Sequence, residues 1–156
     1  MGFSFKVSDL DGLYAFTRLF DQAIAEARVD GFECANHLAS ADCFAPRFNG
    51  RRVFARNVRC GRNFYLWCGL LYDGASRMGL MVEMDAFSNQ DVYADAFLKI
   101  KPSDAYDIVK SEKHIKLFMP EARWANLIAL DALAQLEALT RYFESCASAF
   151  SDAVAR

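Results

Sequence analysis

The sequence predicts an α+β protein with an antiparallel sheet of about five strands, in the order α-βββ-α-ββ-α. An N-terminal helix and a long C-terminal helix pack that sheet. Three observations predict it. Helical apolar spacing marks both ends of the chain. Between them, residues 51–60, 64–72 and 79–87 read as three extended segments separated by turn residues. A second pair of extended segments, around Tyr106–Lys110 and His114–Met119, precedes the last helix. With 156 residues and no internal repeat or linker, the chain reads as a single domain, 1–156.

The first helix lies within residues 8–31. Ser8 and Asp11 have the spacing of a capping box. Leu13, Phe16, Leu19, Phe20, Ala23, Ile24 and Ala27 share one face, and Gly31 is the expected stop. The stretch from Phe32 to Pro46 fits either a short helix or an irregular connection. Segment 64–72 is apolar on both alternating faces, the pattern of a central strand covered on both sides. In the next strand, Leu80, Val82 and Met84 alternate with Met81, Glu83 and Asp85. Ser88 and Asp91 mark a second capping spacing, and a short helix is expected before Pro102.

Pro120 is expected at the first position of a terminal helix running through most of the remaining chain. From Leu136 onward this helix is amphipathic, with Leu139, Tyr142, Phe143, Cys146 and Phe150 on one face. Earlier, Leu127, Leu130, Leu133 and Leu136 step by three, so their row drifts around the helix. Trp124 and Ile128 add further directions, and this half requires cover on more than one side. The sheet supplies one side; another must come from the first helix or from a second subunit.

Hydrophobic residues make up 54% of the chain, more than a disordered segment carries. The longest uncharged apolar run, Asn63–Tyr72, is too short for a membrane-spanning helix. The five cysteines are Cys34, Cys43, Cys60, Cys68 and Cys146, an odd number without a CxxC pair. They read as reduced, mostly buried thiols. The N-terminus lacks the apolar core of a secretory signal, so a cytoplasmic location is expected.

Charge is unevenly distributed. Arg47, Arg51, Arg52, Arg56, Arg59 and Arg62 fall in one 17-residue run without an acidic residue, in a chain of net charge −2. Guanidinium groups pair well with phosphate, and Phe48, Phe54, Phe64 and Tyr65 are interleaved for stacking on bases. The alternative is an edge strand protected by charge against further pairing. An acidic protein partner is a third use of the same run.

Two further constellations carry possible chemistry. Asp73, Glu83 and Asp85 on a meander are reminiscent of metal-dependent nucleases, but Asp85 stands where their lysine belongs. Cys34, His37, Cys43 and Cys60 offer zinc-type ligands at a spacing that matches no compact finger. No metal site is assigned. Nor is a cofactor, since no phosphate-cradling glycine loop, dinucleotide fingerprint, G-x-S-x-G or H-E-x-x-H occurs.

The element order, the chain length and an isoelectric point near 5.7 are similar to those of class I type III secretion chaperones. The resemblance lies in the order of elements rather than in a residue motif. It implies a small acidic homodimer that binds an unfolded segment of a secreted protein. Read together, the residues favour a non-catalytic protein-binding module: a chaperone, adaptor, inhibitor or immunity-type protein. Its contact residues would be Trp67, Trp124, Leu127 and Leu130, with the arginine run beside them. The partner is another protein, with a second copy of the chain as the first candidate. Nucleic-acid binding through Arg47–Arg62 is one rival, and a metal-dependent nuclease-like enzyme built on Glu83 and Asp85 is the other.

Overall fold

A computed structural model describes residues 6–29, 34–36, 41–42, 52–61, 64–73 and 77–155. Its elements are α1 (Val7–Glu26), β1 (Cys34–Asn36), β2 (Ala41–Asp42), β3 (Arg52–Cys60), β4 (Phe64–Asp73) and β5 (Arg77–Asp85). There follow α2 (Tyr93–Lys99), β6 (Asp107–Lys110), β7 (His114–Phe118), α3 (Glu121–Ala129) and α4 (Ala132–Val154). The predicted α+β class and the α-βββ-α-ββ order are present.

The sheet runs β1-β3-β4-β5-β7-β6, with β2 also paired to β3, and every pairing is antiparallel. Short β1 and β2 occupy part of the stretch whose sequence pattern was ambiguous. Because both lie along β3, the arginine-bearing strand is not the expected sheet edge. A register break between Arg52 and Phe54 interrupts its alternation. Opposite that region, Gly69 has φ +148°, and a Cβ there would sit 2.3 Å from the Phe54 carbonyl oxygen. Only glycine fits so close a backbone approach.

One sheet face carries the main core. Phe54, Val58, Leu66, Cys68, Leu80, Val82, Met84, Ile115 and Leu117 meet α1, α2 and α4 there. The buried stripe of α4 is Leu139, Tyr142, Phe143, Cys146 and Phe150, as the periodicity predicts. Tyr142 fixes the docking: its hydroxyl lies 2.6 Å from the Leu117 carbonyl and 3.2 Å from that of Leu80. Phe16 and Phe20 of α1 meet Phe54 edge-on at 5.8 and 5.6 Å. The opposite face has a small apolar cluster of its own, Leu71, Met81 and Phe118. Strand β4 is thus buried on its core face, and on the other face at Gly69 and Leu71, with Tyr65 and Trp67 half-buried.

Helix boundaries differ from those the sequence suggested. Helix α1 begins one residue before Ser8, and the Asp9 carboxylate accepts the Lys6 N–H at 2.9 Å. It ends at Glu26, where Ala27 turns extended. There the Arg28 N–H is taken by the Glu144 carboxylate at 2.6 Å, so tertiary contact replaces the expected glycine stop. Gly31 lies outside the described residues. The turn over 86–92 contains Ser88 and Asp91, so α2 starts only at Tyr93.

The largest correction concerns the C-terminus. The single long helix is two. Leu130 is extended, Asp131 caps α4 by accepting the Ala134 N–H at 2.9 Å, and Pro120 is the N-cap of α3 rather than its first residue. The break separates α3 from α4, and Trp124 of α3 meets Phe16 of α1. Among the described residues, no helix is long and apolar enough to cross a membrane.

Candidate functional site

The break at Leu130 leaves an apolar surface around α3 and the start of α4. Leu127 turns inward and is buried, while Ile128, Leu130 and Leu133 remain 65%, 43% and 77% exposed. Trp124 is half-buried and meets Phe16 edge-on at 5.8 Å, which anchors α3 to α1. Between these two helices lies a groove of about 360 Å³. Its walls are Ala15, Phe16 and Leu19 from α1, Trp124, Leu127 and Ile128 from α3, and Ala132 from α4. Gly12 also lines it, with open space where a Cβ would stand. On the other side of α3 is a second groove of about 390 Å³. It has Met119, Leu127, Leu130 and Tyr142 as apolar lining and Arg123 and Arg141 at its polar positions. Arg141 is engaged by Glu137 one turn earlier.

Three of the four apolar contact residues read from the sequence therefore converge here: Trp124, Leu127 and Leu130. Of these, Leu127 supports the groove from within, whereas Leu130 is presented outward. The fourth, Trp67, is elsewhere. It sits half-buried on the sheet face turned away from the main core, with Asn57 and Glu83 as its cross-strand neighbours. Ile128 and Leu133 were not singled out as contacts, although the drift of the leucine row already implied unpaired apolar directions.

The second sheet face holds a polar row. Asn57, Trp67, Glu83 and Lys116 stand opposite one another across β3, β4, β5 and β7. Glu83 is only 4% exposed, and its carboxylate lies 2.8 Å from Nδ1 of His114. A buried carboxylate needs such a partner, because desolvation penalises its charge. Asp85 accepts the Ser88 N–H at 2.7 Å and so fixes the turn after β5. Asn57 is 1% exposed, and neither atom of its amide finds a hydrogen-bond partner among the described residues.

The nuclease-like constellation is not assembled. Trp67 is the residue facing Glu83, while Asp73 is six residues further along β4, about 20 Å away at the ordinary strand rise. Among the described residues, no group of three His, Cys, Asp or Glu is placed to hold a metal ion. Of the four zinc-type residues, Cys34 and Cys60 stand directly opposite in the β1–β3 ladder. His37 and Cys43 lie outside the described residues.

The arginine run divides. Arg56 points into the core side and is 6% exposed, with Nε 2.6 Å and Nη2 3.2 Å from the Asp21 carboxylate of α1. Its guanidinium also lies over Phe54, 5.8 Å from the ring centroid. This arginine fastens α1 to β3 and is withdrawn from any contact surface. Arg59 is half-buried on the opposite face, opposite Tyr65. Arg52 is placed opposite Leu71. Arg47, Arg51 and Arg62 lie outside the described residues.

Comparison with models of known protein families, with curated proteins and with solved structures finds no match.

Proposed function

We propose that this chain is a non-catalytic protein-binding module, and that α3 with the first turn of α4 forms its contact. One observation carries the reading: Ile128 stays exposed at a groove floored by Phe16, Trp124 and Leu127, Leu130 at the groove on the other side of α3, and Leu133 in the first turn of α4. Isolated exposed leucines are ordinary, but three large apolar side chains exposed within residues 128–133, next to two apolar-lined grooves, mark an interaction surface. Leu133 would leave water on binding, and an apolar side chain of the partner would enter the groove. Arg123 gives the surface a charged margin.

Site-specific photocrosslinking in the native host tests this. A photoreactive residue replaces Ile128 or Leu133, with Glu112 on the remote β6–β7 turn as control. A discrete protein adduct is expected at 128 and 133 and not at 112. An adduct with a second copy identifies a homodimer, and an adduct with another chain identifies a heterologous partner. Equal labelling at all three positions, with a monomer by light scattering at micromolar concentration, would overturn the proposal.

A further inference from the structure

We infer that Cys34 and Cys60 form a reversible disulfide that clips β1 to β3. The two are cross-strand partners in an antiparallel ladder, in a register that continues through Ala35 opposite Arg59 and Asn36 opposite Val58. Directly opposed residues of such a ladder have Cα atoms about 4.5–5.5 Å apart. That spacing falls within the range a disulfide spans, about 4.4–6.8 Å. No other described cysteine matches it. Cys60 faces Phe64 on its other side, and Cys68 is four residues further along β4, about 13 Å away. Cys146 belongs to α4.

β1 is the outermost described strand on its side of the sheet, and Cys60 is fully buried. A low-molecular-weight disulfide supplies the oxidising equivalents. One of the two protein thiolates attacks one of its sulfurs and releases one small thiol. The other then attacks the protein sulfur of the mixed disulfide and releases the second. Two protein thiols lose two protons and two electrons, and the small disulfide leaves as two thiols. The closed loop contains Arg47, Arg51, Arg52, Arg56 and Arg59. Oxidation thereby closes a covalent loop around these five arginines.

The test exposes the full chain to oxidised glutathione at mildly alkaline pH, where thiolates are populated. Remaining thiols are alkylated, and the digest is mapped by mass spectrometry. The expected product is a linked peptide pair holding Cys34 and Cys60, with the intact mass lower by about 2 Da. Dithiothreitol should restore all five thiols. The C43S variant should keep the link, and C34S should lose it. A dominant bond from Cys43 to either cysteine, or a glutathione adduct on Cys34 that never resolves, would overturn the inference. Should C34S fail to fold, the wild-type map and C43S still decide the pairing.

Discussion

At the scale of single residues, the fold depends on a few positions where no substitute fits. Gly69 is one. Its positive φ is costly for any residue with a Cβ, and the Phe54 carbonyl leaves no room for one. Both strands are paired on either side and buried at this point, so neither can yield easily. Gly69→Ala is expected to cost about 3 kcal/mol or more, or to prevent folding. Urea denaturation gives the value. A loss of less than about 1 kcal/mol, the size of an ordinary surface change, would show that β3 can move away from β4. Arg56 is a different case, since its charge is buried and Asp21 offsets it across the α1–β3 contact. The same run of arginines thus serves folding at one position, whatever it does at the others.

At the scale of elements, the junction between α3 and α4 decides what the protein presents to its surroundings. Asp131 satisfies one of the N–H groups left open at the start of α4. Asp131→Ala is expected to destabilise by about 1 kcal/mol with an unchanged denaturant slope. A neutral result would mean that packing alone holds the break. This junction also shows the limit of reading the sequence. Periodicity located α1, β4, β5 and the amphipathic half of α4, because each has a strong pattern over many residues. The break escaped it. Leucines spaced by three are compatible with a helix on either side of Leu130, and one aspartate in an apolar run reads as an exposed helical position. The exposed surface was still legible as an excess of apolar directions in residues 124–136. The Glu83–His114 pair was not, because its members are 31 residues apart and meet only through the β5–β7 register. Short β1 and β2 lacked the length for any alternation to show.

At the scale of the whole molecule, α4 is the bolt that holds helices and sheet together, and its chemistry gives the stability a pH limit. Tyr142 and Cys146 lie one turn apart on its buried face. Burial, which disfavours the charged form, pushes the tyrosine well above its ordinary 10.0 and raises the thiol from its ordinary 9.0. A charged Cys146 would also repel a phenolate, which raises the tyrosine further, whereas the Tyr142 hydrogen bond partly offsets the rise of the thiol. In the unfolded chain both groups lose protons near their ordinary values. Above those values the folded state therefore holds more protons than the unfolded state, and stability falls as pH rises. Below about pH 8 neither group contributes a slope, because both states are protonated. Between the unfolded and folded values, each group removes about 1.4 kcal/mol per pH unit. Ionising Tyr142 would also discard the proton it shares with the Leu117 and Leu80 carbonyls, which tie α4 to β7 and β5. Denaturation midpoints measured across the alkaline range should decline from about pH 9 upward, and more steeply past 10. Tyr142→Phe should flatten the upper part of that decline while lowering stability at neutral pH by about 1 kcal/mol for the lost hydrogen bond. A wild-type profile level through the alkaline range would mean that α4 lets water reach this face without unfolding, and the bolt would have to be sought elsewhere.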